Sequence, residues 1–221
     1  MIRFEAFEAW YEIFGQKQSV INSSYFTLNF GKITALSGLN GSGKTTFIKS
    51  ILGLNPYTNG KVYYNKAQIK RGVRIGTLFN TGYTPEIMSN SLMIKVSDLF
   101  QLINRLTAKK VDTNSSYSLN NIINTFDLKE FRNISFDKLS KGTKKRVLIA
   151  VAILNVPEVI ILDEPFEGLD KIQRVRLKYI LNDIREKRLI LISSHENLEL
   201  NSMCDDFLVV ENNQINKENN A

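Results

Sequence analysis

Gly38-Leu39-Asn40-Gly41-Ser42-Gly43-Lys44-Thr45 meets the pattern G-x-x-x-x-G-K-[ST] at every fixed position. The apolar run Ile33 to Leu36 precedes it and reads as a buried strand. Phe47, Ile48, Ile51 and Leu52 follow at helical spacing. A strand that turns through glycines into a helix aims several backbone N–H groups at one point, and the helix N-terminus adds its partial positive charge there. Side chains in place of the glycines would hold the backbone away from a phosphate. The segment therefore reads as a phosphate-cradling loop in an α/β core, with Gly38 to Thr46 as the nucleotide-binding set. Lys44 has the reach for the β- and γ-phosphates, and the Thr45 hydroxyl is placed to ligate Mg²⁺.

Val159-Ile160-Ile161-Leu162-Asp163-Glu164 is four apolar residues ending in two carboxylates. Such a run suits a strand covered on both faces of a parallel sheet. Asp163 then falls at its C-terminal end, where open α/β sheets bind ligands. It is the candidate to hold Mg²⁺ through water, and Glu164 is the candidate to polarise an attacking water. Adjacent carboxylates before Pro165 would by themselves read as the end of a strand. Paired with the loop, they read as a nucleotide-hydrolysing site.

Leu139-Ser140-Lys141-Gly142-Thr143 precedes a helical stretch from Lys144 to Leu154. This segment resembles the signature motif of ATP-binding cassette (ABC) ATPases, usually L-S-G-G-Q, with Ser140 and Gly142 in matching places and departures at Lys141 and Thr143. In order with the loop and the carboxylate strand, it identifies the chain as similar to that family from about Ile2 to about Gln214. The resemblance implies that Ser140 and Gly142 contact the γ-phosphate of ATP held by an opposite subunit. It implies that Gly168-Leu169-Asp170 is the D-loop linking two sites across a dimer. It also implies that His195, the single histidine, which follows the apolar run Leu189 to Ser194, is the switch residue at the γ-phosphate and the water. Phe14 falls near the place of the aromatic ring that stacks on adenine, with Tyr11 as its competitor. Asn80, ending Val73-Arg74-Ile75-Gly76-Thr77-Leu78-Phe79, falls in the place of a glutamine that touches Mg²⁺. Some cassettes of peptide-export and lantibiotic-immunity systems depart from glutamine there, typically to glutamate.

The 221 residues, 43% of them hydrophobic, suffice for one large domain with a sizeable core. The fold class that follows is α/β: a P-loop NTPase core of ABC type with an antiparallel β-subdomain and a helical insertion. A single nucleotide-binding domain is expected over 1–221. Residues from about 2 to 75 read as the antiparallel β-region. Residues from about 81 to 138 read as the helical subdomain, with Leu92, Val96, Leu99, Phe100, Ile103 and Leu106, then Leu119, Ile122, Ile123 and Phe126, at helical spacing. Lys109 to Ser118 reads as a loop between helices. The Asn-rich tail, Asn212 to Ala221, is expected to fray.

No apolar run approaches the roughly 20 residues that cross a bilayer. Met1-Ile2-Arg3-Phe4-Glu5 has no signal-peptide layout. A cytoplasmic protein, peripheral on the membrane, is expected. Cys204 is the only cysteine, which excludes an intrachain disulfide, and it reads as an inert packing residue. The net charge of +7 is scattered, without zinc-finger spacing or an aromatic-interleaved basic stripe, so no nucleic-acid partner is expected.

The resemblance implies ATP and Mg²⁺ as cofactors and a head-to-tail dimer, either a homodimer or a heterodimer with a second ABC subunit. It implies a function as the ATPase subunit of a membrane transporter, working through separate integral membrane permease subunits, with the departures at Lys141, Thr143 and Asn80 tilting toward export. The alternative is a soluble ABC ATPase acting in an assembly process. A catalytically dead binding module is disfavoured, since Lys44, Asp163, Glu164 and His195 are all in place.

Overall fold

The computed structural model describes residues 1–69, 75–86, 92–107, 117–195 and 200–218. β1 (Ile2–Ile13) and β2 (Gln16–Leu28) form a hairpin turned by Phe14 and Gly15, both at positive φ, the backbone a two-residue hairpin turn requires. β3 (Lys32–Ser37) leaves for a second sheet and leads through residues 38–43 into α1 (Lys44–Leu52). β4 (Thr58–Tyr64) and β5 (Ala67–Ile69) return to the first sheet, which is antiparallel in the order β2-β1-β4-β5. Its inner face meets α1 through aromatic rings. Phe4 stacks on Phe26 at 4.5 Å, and Phe47 of α1 stands edge-on to Phe7 and Phe26. Such pairs add about 0.5–1.5 kcal/mol each beyond burial, and here they seat the helix that starts at Lys44.

A single helical turn, α2 (Ile75–Leu78), precedes β6 (Thr81–Thr84). Val73 and Arg74 lie outside the described residues, and Ile75 to Leu78 is helical. Ile75 is buried and Phe79 packs against Tyr64. These two apolar side chains lie four residues apart, and the Phe79 N–H donates to the Ile75 carbonyl at 3.1 Å, so helical spacing serves their packing. The strand follows Asn80. Accordingly, residues 81–84, expected at the start of the helical region, belong to the core sheet.

α3 (Val96–Thr107) and α4 (Leu119–Thr125) follow, then two 3₁₀ turns and α5 (Lys141–Ile153). Val96, Phe100, Ile122, Ile123 and Phe126 share one buried cluster with Val147 of α5 and Ile160 of the sheet. The expected loop over Lys109 to Ser118 lies mostly outside the described residues. Next come β7 (Val159–Leu162), α6 (Lys171–Ile184), β8 (Leu189–Ser193), β9 (Asp206–Glu211) and β10 (Gln214–Glu218). The second sheet has the order β10-β9-β3-β8-β7-β6 and is parallel except for β10. β7 and β8 are buried at every position, as continuous apolar runs in a sheet covered on both faces should be. At the edge, Gly82 lets α5 cross β6 closely: a Cβ there would stand 1.8 Å from the Ala152 carbonyl oxygen.

The tail departs from expectation. Asn212 and Asn213, both at positive φ, turn the chain into β10, and Ile215 is buried. Two asparagines suit such a turn, and one apolar residue anchors an otherwise polar strand. Residues 219–221 lie outside the described residues. Among the described residues no helix is long and apolar enough to cross a membrane. Cys204 is half-buried, and burial pushes its thiol up to about 12, which keeps it in the unreactive thiol form.

Candidate functional site

Parallel pairing brings four strand ends to one edge of the core sheet. Gly38 follows β3, Asp163 follows β7, Ser194 and His195 follow β8, and Pro85 and Glu86 follow β6. The edge is sealed by backbone bonds: the Asp163 N–H donates to the Thr84 carbonyl at 2.9 Å, and the Ser194 N–H to the Leu36 carbonyl at 3.1 Å. A cavity of about 660 Å³ opens there, walled by Asn40, Gly41, Gly43, Lys44, Thr45 and Thr46 on one side and by Glu86, Glu164, Glu167 and His195 on the other. Gly43 caps α1 with φ +108, a conformation side chains resist.

Lys44 is buried, and its amine donates to the carbonyls of Gly38 at 2.8 Å and Leu39 at 3.3 Å, with Glu164 Oε1 at 3.7 Å. The Thr45 hydroxyl donates to Asp163 Oδ2 at 2.9 Å, and Glu86 Oε2 stands 3.4 Å from the same hydroxyl. Ser193, fully buried, donates to Asp163 Oδ1 at 2.6 Å and accepts the Glu164 N–H at 2.8 Å. Asp163 thus presents a fixed carboxylate edge toward Thr45. His195 Nδ1 shares a hydrogen bond with Glu164 Oε2 at 3.0 Å. Gly38, Leu39 and Ser42 belong to the loop but form no wall of the cavity.

One expected position is corrected, and of the two rings considered for adenine one stands nearer the cavity. The backbone of Asn80 is bonded at the opposite end of the sheet, its N–H to Glu158 Oε2 and its carbonyl from Val159 N–H. Four strand residues separate it from the site, about 13 Å at 3.3 Å per residue, so it is out of reach of a metal held by Thr45 and Asp163. Glu86, two residues beyond the other end of that strand, is the residue present there. Phe14 is fully exposed at the hairpin turn and takes no part in the cavity, whereas Tyr11 lines it and its hydroxyl bonds the Thr46 hydroxyl at 3.0 Å.

Ser140 caps α5, its Oγ accepting the Thr143 N–H at 3.2 Å, and is exposed; Gly142 packs against the Gly168 carbonyl. Neither lines the cavity of its own chain. Asp170 caps α6 by accepting the Gln173 N–H at 2.9 Å.

Three further residues had not been singled out. Lys145 is buried beneath the site and donates to the Asp163 carbonyl at 3.0 Å. Burial lowers its ammonium below the ordinary lysine value, against the pull of Asp163, Glu167, Glu164 and Glu86. Glu167 pairs with Lys141 at 2.6 Å, and that bond holds its carboxyl below the usual glutamate range. Ser193 is the third. Its only signal was a hydroxyl at the end of an apolar run.

Mg²⁺ fits this donor set. The Thr45 hydroxyl and the Asp163 and Glu86 carboxylates are hard oxygen donors. Among the described residues no group of three or more His, Cys, Asp or Glu forms a closed cage. An ion held by few protein oxygens, completing its shell with water and phosphate, is the manner of Mg²⁺.

The chain belongs to the ABC transporter family, whose model matches residues 21–167. It is 29% identical over 205 residues to the lipopolysaccharide export system ATP-binding protein LptB of Escherichia coli, covering 86% of this chain and 80% of that protein. It is 31% identical over 181 residues to the zinc import ATP-binding protein ZnuC of Rickettsia conorii, covering 81% and 70%. It is also 29% identical over 194 residues to ATP-binding cassette sub-family A member 9 of Mus musculus, covering 86% of this chain but spanning only 12% of that protein. Among solved structures, an ATP-binding subunit of an ABC transporter matches with a TM-score of 0.80 at 26% identity, over 99% of this chain and 89% of that one. A dimeric bacterial ABC transporter cassette has the same fold, with a TM-score of 0.77 at 18% identity over 100% of both chains.

Proposed function

We propose that the chain is the ATP-binding and ATP-hydrolysing subunit of a membrane transporter, docked on separate permease subunits at the cytoplasmic face, and that it powers export. One observation carries the catalytic part: Lys44, Thr45, Glu164 and His195, brought from three strand ends, line one cavity, Lys44 and His195 both meet Glu164, and Asp163, buried behind the cavity wall, bonds Thr45. The residues divide the work. A γ-phosphate oxygen, being charged, is a stronger acceptor for Lys44 than the carbonyls it now meets. The loop N–H groups at the start of α1 receive the β-phosphate, and Tyr11 offers its ring to the adenine. Thr45, Asp163 and Glu86 would hold Mg²⁺, which when bound would offset the charge of the phosphates. Glu164 takes the proton of the attacking water, and His195 fixes the carboxylate and reaches toward the phosphate. Catalysis is then mostly positioning and charge stabilisation. Ser140 and Gly142, which line no part of their own cavity, serve the γ-phosphate of a second cassette.

Export is supported by the departures at Lys141 and Thr143 from the usual signature motif. The relatives include both an export and an import protein. Tagged protein isolated from detergent-solubilised native membranes tests the reading. A multispanning protein is expected to co-purify, and its relatives will give the direction. Recovery only from the soluble fraction, without a spanning partner, would overturn the transporter role.

A further inference from the structure

We propose that Lys145 is a positioning residue for hydrolysis: its buried amine grips the Asp163 carbonyl and holds the Asp163–Glu164 peptide in the orientation that aims Glu164 into the cavity. This rests on the reading that Glu164 polarises the water. Two lysines are buried among the described residues, Lys44 and Lys145. Lys44 lines the cavity; Lys145 does not, so nucleotide contact does not account for it. Burying an ammonium is costly without a partner, and the partner here is a backbone carbonyl at 3.0 Å.

That carbonyl belongs to a peptide that needs holding. Glu164 has φ +47, the left-handed region that residues with side chains seldom occupy. The same peptide is fixed on its other side, where the Glu164 N–H donates to Ser193 Oγ at 2.8 Å. Gripped at both its oxygen and its N–H, the peptide plane does not rotate. With the oxygen released, Glu164 relaxes toward ordinary backbone angles, and its carboxylate leaves His195 Nδ1, now 3.0 Å away. Lys145 stands in α5, which Ser140 caps and whose first turn contains Gly142. The helix that carries the signature segment is therefore bonded directly to the backbone of the hydrolytic carboxylate.

The test compares wild type, Lys145→Met, Lys145→Gln and Glu164→Gln in ATPase turnover, affinity for a fluorescent ATP analogue, thermal midpoint and amide exchange of the 163–166 segment. Methionine fills the volume without a donor, whereas glutamine keeps one. Lys145→Met is expected to lose between about tenfold and a hundredfold in turnover, the scale of a reacting group misplaced by about 1 Å. Its analogue affinity and thermal midpoint should hold, and exchange at 163–166 should quicken. Lys145→Gln should recover part of the turnover. Wild-type turnover in Lys145→Met overturns the proposal. So does a joint loss of turnover, affinity and thermal midpoint, which marks a purely structural lysine, or a glutamine variant no better than methionine. A wild-type chain without ATPase activity, or a Glu164→Gln variant as active as wild type, overturns the catalytic reading itself.

Discussion

An aromatic ring that stacks on a base must be held in place with one face open, and the two candidate rings differ in this. Tyr11 is anchored through its hydroxyl to Thr46 at 3.0 Å and borders the cavity, while Phe14 is carried on a turn with φ +50 and touches nothing there. Tyr11→Ala should weaken binding of a fluorescent ATP analogue by about 1–3 kcal/mol, the usual worth of one stacked base, and Phe14→Ala should leave it unchanged. The reverse pattern would return the adenine contact to the turn. Sequence spacing left this choice open for a physical reason. The β1–β2 ladder shifts register between Phe4 and Phe7, Phe7 and Ala9, and Ala9 and Trp10, so the face that Tyr11 presents depends on bulges that no alternation pattern records. Asn80 and Glu86 pose the same problem. Their roles turned on where a four-residue strand begins, and a shift of that strand moves its ends by the length of a nucleotide site.

Elements whose own residues dictate their burial were legible: β7 is a continuous apolar run, β8 is one up to Ser193, β3 is apolar at Ile33, Ala35 and Leu36, and the loop motif marks the start of α1. β6 and β10 were not, because what makes them strands lies elsewhere in the chain. Thr81-Gly82-Tyr83-Thr84 is stranded by pairing with β7 under the crossing of α5. β10 is polar apart from Ile215, which sits at 2% exposure among Ile2, Leu28 and Val210 in the cluster under the antiparallel sheet. If β10 is a working part of the sheet, Ile215→Ala should cost about 2–4 kcal/mol in urea unfolding, as for other buried large-to-small changes. Lys217→Ala, at an exposed position of the same strand, should stay within about 0.5 kcal/mol. Equal small effects would mean that the tail frays, as its composition alone led one to expect.

At the scale of the whole molecule, the cavity is incomplete in one respect: the signature segment of the same chain takes no part in it. Ser140 is exposed at the start of α5, where free N–H groups and the helix dipole favour an anion. A phosphate held by the loop of one chain and met by this helix end of another would join two chains through ATP. Hydrolysis would then break the joint, so the closed form accumulates only if the water is not activated. Glu164→Gln removes that activation, since an amide is not a base for water, and general-base contributions are about 10²–10⁴-fold. This variant, given ATP and Mg²⁺, should double its mass in size-exclusion chromatography with light scattering, with one nucleotide per chain. Adding Ser140→Asp keeps an N-cap oxygen for α5 but sets a carboxylate against the γ-phosphate. The double variant should still bind ATP and should remain monomeric. A Glu164→Gln chain that stays monomeric at saturating ATP would rule out the homodimer and assign the opposite signature segment to a second, related cassette. Dimerisation that survives Ser140→Asp would place the joint somewhere other than the phosphate.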